Sequence, residues 1–158
     1  MTHSPRFTLS ARVVGMRLIQ WFIAIVLAAS CLGKALDVSG FMNVIGTYEV
    51  FPAFLYPIVA VAMIVIEGML SLWLFSGREL HKAALASAFL HLSFTLFAIT
   101  ALLRGLSIPN CGCFGVFYAR PLTWKGTVVE DIVMIVLSLI LYALSRRKNV
   151  QTSASRSD

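Results

Sequence analysis

Two thiols stand one residue apart in Pro109-Asn110-Cys111-Gly112-Cys113-Phe114-Gly115, and that spacing is the clearest chemical signal in the chain. A disulfide across C-x-C closes a very small ring, and strained disulfides are reduced more easily than structural staples. Cross-linking residues this close also removes little entropy from the unfolded chain, so a purely stabilising clip is a weak use of the pair. The spacing points to thiol–disulfide exchange. Cys31 supplies a third sulfur, which is the stoichiometry of exchange: one pair stores two electrons while another thiol attacks or resolves a mixed disulfide. Lys34 follows about one helical turn after Cys31, where its charge would favour the Cys31 thiolate. The plainer reading of Cys31 is a small apolar residue packed at a helix end.

The elements that must position these sulfurs are membrane helices. The chain has 158 residues, 59% hydrophobic and 13% charged, with a mean hydropathy of +0.86, which is too apolar for a soluble domain. Apolar runs over about residues 13–33, 53–75, 83–103 and 128–144 each approach the roughly 20 helical residues that cross a bilayer. Nothing alternates like a barrel strand, so the expected fold is an all-α membrane protein, a four-transmembrane-helix bundle over residues 1–145 with a disordered cytoplasmic tail over 146–158. Arg12 and Arg17 before an apolar stretch ending in Ala28-Ala29-Ser30-Cys31 resemble a lipoprotein signal, but the length of the run favours an uncleaved spanning helix.

The net charge of +6 is explained by topology. Arg6, Arg12, Arg17, Arg78, Lys82, Arg146, Arg147, Lys148 and Arg156 flank one side of the runs, whereas Lys34, Arg104, Arg120 and Lys125 flank the other. The positive-inside bias therefore puts both termini in the cytoplasm and all three cysteines on the outer side, where disulfides persist. No nucleic-acid partner is expected; the basic tail orients the chain or touches anionic lipid. No metal is expected either, because zinc needs about four ligands and His3, His81 and His91 lie away from the outer face.

Polar residues inside the runs are the second signal. Glu67 and His91 lie at depths that differ by about 3 Å on the helical rise, so they could pair across the second and third helices. Ser71 follows Glu67, and Ser87, His91 and Thr95 form a polar stripe. Two readings stay open: an interhelical hydrogen bond that fixes packing, or a proton or quinone site. Glu130 and Asp131 complement the dipole at the start of the fourth helix, which suffices for Asp131, while Glu130 can also face the thiol loop. In the first outer loop, Phe41, Val44, Ile45 and Tyr48 recur at helical spacing after Asp37 and Ser39. This predicts a short interfacial helix, capped by one of those residues and ended by Pro52, that either roofs the thiols or packs in the core.

Gly33-Lys34-Ala35-Leu36-Asp37, Gly40-Phe41, Tyr48, Pro52, Glu67, Cys111-Gly112-Cys113-Phe114-Gly115 and Pro121-Leu122-Thr123-Trp124 together resemble the MauE family, within the broader DoxX-like group of small four-helix membrane proteins. The C-G-C-F-G element is the specific part. The resemblance implies a multi-pass protein of the bacterial inner membrane with the Cys111/Cys113 loop on the periplasmic side. It also implies a role in the periplasmic maturation of methylamine dehydrogenase, a client rich in disulfides, alongside a thioredoxin-like partner.

The leading expectation is a membrane protein that passes electrons between periplasmic thiols and that partner through Cys111 and Cys113, with Cys31 as a resolving thiol. The chain lacks the strand–helix alternation of a redox domain, so a separate one must dock. One rival is a quinone-coupled thiol oxidoreductase with Glu67 and His91 beside the quinone. The other is a non-enzymatic assembly factor whose C-x-C is a fixed clip.

Overall fold

Lipid offers no partner for backbone amides, and an apolar chain in a bilayer therefore satisfies them along its own helices. The computed structural model describes the backbone of residues 5–154 and the side chains of residues 12–146. Among these the regular structure is helical throughout: α1 (Pro5–Leu36), α2 (Val38–Thr47), α3 (Tyr56–Ser76), α4 (Leu80–Leu103) and α5 (Val129–Ala154), with a 3-10 turn at Ala53–Leu55 and a π turn at Trp124–Val128. Four segments, Arg12–Leu36, Ala53–Ser76, Leu80–Leu103 and Trp124–Arg146, are long and apolar enough to cross a membrane. Leu18, Leu32, Ile58, Leu72 and Phe89 point outward from them, as a lipid-facing surface requires. The expected four-helix membrane architecture is the observed one.

The bundle is two tightly packed pairs, α1 on α3 and α4 on α5. Small and polar residues stitch each pair. Ser71 Oγ donates to the Ala24 carbonyl at 2.9 Å and Gln20 Nε2 to the Leu74 carbonyl at 2.6 Å, joining α3 to α1. Ser138 Oγ donates to Ser87 Oγ at 3.1 Å, joining α5 to α4. Ile23, Leu27, Leu74, Ala83, Ala84 and Leu141 fill the core toward the α3–α4 turn. The opposite end is closed by α2 and by the loop that carries Cys111 and Cys113.

α2 forms where the spacing of Phe41, Val44 and Ile45 predicts it. Asp37 is the cap, its Oδ1 accepting from the Gly40 amide at 2.7 Å. The helix buries those three residues in a cluster with Ala60 of α3. It stops at Thr47, not at Pro52: Glu49 enters the left-handed region at φ 52, and Pro52 instead opens the 3-10 turn. α5 stays helical to Ala154, into the segment expected as a disordered tail, since extending an existing helix needs no new nucleus. The rest of that expected tail, 155–158, lies outside the described residues, as do the side chains of Arg6, Arg147, Lys148 and Arg156.

Candidate functional site

Ser30 and Lys34 are four residues apart, so one face of the last turns of α1 carries both. Glu67 meets them from α3. Lys34 Nζ donates to Glu67 Oε1 at 2.5 Å and to Ser30 Oγ at 2.6 Å, and the Lys34 and Glu67 side chains are 2% and 0% exposed. A buried ion pair needs its remaining hydrogen-bonding positions filled. Here the thiol loop fills one: the Cys113 carbonyl lies 3.2 Å from Lys34 Nζ and 2.6 Å from Ser30 Oγ, whose single proton it shares as an acceptor with Glu67 Oε2 at 2.9 Å.

The other end of the C-x-C segment is held as firmly. Tyr48, just after α2, donates its hydroxyl to the Cys111 carbonyl at 2.7 Å, and the Cys111 amide donates to the Arg120 carbonyl at 2.8 Å. Within the turn, Asn110 Oδ1 accepts from the Gly112 amide at 3.0 Å, and Asn110 Nδ2 donates to the Gly115 carbonyl at 3.1 Å. Gly115, at φ 69, packs on the end of α1 so closely that a Cβ would sit 2.9 Å from the Lys34 amide nitrogen. Gly112, at φ 75, would drive a Cβ to 2.8 Å from Val44 of α2. The glycines of C-G-C-F-G therefore let the loop lie flat between α1 and α2.

So held, the Cys111 and Cys113 sulfurs face each other at 2.8 Å. They are unequal. A hydrogen bond from the Cys113 thiol pulls the Cys111 thiol down to about 6 against the opposing effect of burial, with the Arg120 charge and the Thr127 hydroxyl assisting. Cys113 is pushed well up by donating to Cys111, by burial and by the charge of the Cys111 thiolate. The pair therefore holds one thiolate and one thiol near neutral pH. Arg120 Nη1 donates to Glu130 Oε1 at 2.6 Å and Nη2 to Oε2, a bidentate pair that fixes the strand of loop against which Cys111 bonds.

One expected partnership is replaced. Glu67 does not meet His91. Glu67 turns to Lys34 on α1, while His91 Nδ1 donates to the Ser87 carbonyl one turn earlier on its own helix, at 2.8 Å. Equal depth did not bring them together because they lie in different helix pairs. Lys34, for its part, gives its hydrogen bonds to Glu67, Ser30 and the Cys113 carbonyl. Cys31 lies against α3, its Sγ donating to the Ile64 carbonyl at 3.3 Å and packing near Gly68, away from the C-x-C pair.

A cavity of about 310 Å³ adjoins the pair. Its polar end holds both cysteines, Lys34, His91 and Asp131, and its flanks are apolar side chains of α1, α2, α3 and α4. Among the described residues no group of three or more His, Cys, Asp and Glu converges as a metal-ligand set. Ser30, Tyr48, Arg120, Thr127 and Asp131 belong to this site although sequence reasoning gave them no chemical role. The spacing of Ser30 to Lys34 could have marked the first; the others depend on how the loop folds back.

The family described as "Methylamine utilisation protein MauE" matches residues 12–144, which contain every residue of the site. Over 120 residues the chain is 29% identical to the methylamine utilization protein MauE of Paracoccus denitrificans, covering 76% of this chain. It spans 64% of that relative's length. No solved structure matches. With the family pattern running from α1 through the C-x-C loop into α5, the chain belongs to the MauE family.

Proposed function

We propose that this protein is a membrane thiol–disulfide redox protein in which Cys111 and Cys113 alternate between dithiol and disulfide. The observation that carries the reading is the facing sulfur pair, one held as the better leaving group by the other, on a loop pinned by a buried ion pair. An incoming client thiolate attacks the Cys113 sulfur of the oxidised pair and releases Cys111, because the lower-pKa thiolate leaves faster. A second client thiol then completes the client disulfide and frees Cys113. Membership of the family supports a role in methylamine utilisation; the client in this reading is a disulfide-rich protein outside the inner membrane, reached with a thioredoxin-like partner. Cys31, bonded to α3, is left out of this exchange.

The test is maturation of the client in cells carrying Cys111→Ser, Cys113→Ser or Cys31→Ser. The first two are expected to abolish it while the protein remains inserted, and Cys111→Ser should trap a mixed disulfide through Cys113. Normal client disulfide content in the Cys111→Ser/Cys113→Ser double variant would falsify the redox reading and leave a structural clip.

A further inference from the structure

We propose that the cavity beside the thiol pair is the site of a membrane-soluble quinone that accepts electrons from Cys111 and Cys113; this rests on the redox reading above. Closing the dithiol releases two electrons, so a protein that forms disulfides repeatedly needs a two-electron acceptor within reach of these sulfurs. The cavity places one there. Its volume, about 310 Å³, falls at the lower end of the roughly 300–1,000 Å³ usual for small organic ligands. Val59, Met63 and Ile66 of α3 and Phe94 and Phe97 of α4 flank it, giving aromatic and aliphatic walls for a planar ring and an isoprenoid tail.

Its mouth opens toward lipid. Ile66 and Phe97 line the cavity and are also exposed on the outer surface, 50% and 39% respectively. They stand on α3 and α4, whose facing sides belong to different helix pairs and leave the gap. A ligand can therefore enter from the bilayer without crossing the thiol loop. At the inner end His91 is 5% exposed and its Nδ1 is committed to the Ser87 carbonyl. A carbonyl only accepts, so Nδ1 carries the proton and the bare Nε2 is an acceptor, free to take a hydrogen bond from a hydroquinone hydroxyl. An acyl chain would use the walls but neither the imidazole nor the sulfurs.

The reaction balances with water as the only other participant. The pair enters as one thiolate and one thiol, so one S–H bond breaks and one S–S bond forms; the quinone takes the two electrons, one proton from Cys113 and one from water, and leaves as hydroquinone. His91 Nε2 accepts from one of the two hydroquinone hydroxyls, and Asp131, which also lines the cavity, takes the Cys113 proton in passage.

The experiment uses the full chain, reduced, in lipid nanodiscs under anaerobic conditions, with decylubiquinone as probe. The expected result is loss of two protein thiols per quinone reduced, read by thiol titration and by the quinone's ultraviolet absorbance, and no reaction in Cys111→Ser or Cys113→Ser. Ile66→Trp at the mouth should raise the half-saturating quinone concentration at least about tenfold. Phe97→Trp, on the facing helix, serves if Ile66→Trp fails to insert. If glutathione disulfide closes the pair but decylubiquinone does not, the quinone site is overturned and thiol exchange stands. If neither oxidant closes it, the redox reading itself falls. Wild-type half-saturation in an inserted mouth variant, or a retained phospholipid that decylubiquinone does not displace, also overturns the site.

Discussion

A thiol with a pKa near 6 reacts differently from an ordinary cysteine, and Cys111 should show it. Alkylation of the reduced protein by iodoacetamide is expected to rise with pH through a midpoint near 6 and level off above it, since only the thiolate reacts. Because the Cys113 hydrogen bond is the largest cause, Cys113→Ala should move the midpoint upward. A wild-type midpoint near the ordinary value of about 8.5 would contradict the assigned asymmetry. Lys34 and Glu67 make a second prediction at this scale. Lys34→Met strands a buried carboxylate and should cost about 3–5 kcal/mol, whereas Lys34→Met/Glu67→Met together should recover much of it, measured as melting temperature in detergent. The double variant should still exchange thiols poorly, because the Cys113 carbonyl loses its Lys34 donor. Residue type alone flagged Glu67, since ionisable side chains in apolar runs are expensive, whereas Lys34 stood out only as a charge one turn after Cys31. Their partners were not legible: depth along a helix follows from the rise, but the direction a side chain faces depends on how helices pair.

At the scale of elements, the thiol loop is positioned by close backbone approach rather than by burial of large side chains. Gly115→Ala is expected to lift the loop from α1, because its left-handed backbone and the Lys34 amide both reject a Cβ. The readout is accelerated alkylation of Cys113 together with lost client maturation at normal expression; wild-type values for both would show that the loop tolerates the shift. Asp37→Ala, which removes the cap of α2, should destabilise by only about 1 kcal/mol. The spanning helices and α2 could be read from the sequence because hydrophobic spacing encodes them directly. The end of α2 could not, since Glu49 adopts a backbone conformation that its residue type does not announce. The C-G-C-F-G glycines were legible as a motif but not as a packing device, which needs α1 and α2 in place.

For the whole molecule, the prediction is orientation. The basic flanks are expected to put the α3–α4 turn and both termini in the cytoplasm and the C-x-C loop and α2 outside. A membrane-impermeant maleimide applied to intact cells after mild reduction should label Cys111 or Cys113, and protection until the membrane is opened would reverse the topology.

The Lys34–Glu67 pair also bears on how the protein is made. Both members lie in the part of the chain synthesised first, ahead of α4 and long before Cys111 leaves the ribosome. A carboxylate or ammonium alone in the bilayer costs about 2.5–3.5 kcal/mol on insertion scales, but α1 and α3 can enter as a mutually neutralised hairpin. The cation is then already in place when the thiol loop arrives, so the redox centre assembles by docking onto a finished receptor. A chain truncated after Gly77 should accordingly remain membrane-integrated, and the same fragment carrying Lys34→Met should be extracted by alkaline carbonate. Biogenesis would then run from counterion to thiol, with the reactive sulfurs the last part of the protein to be set in place.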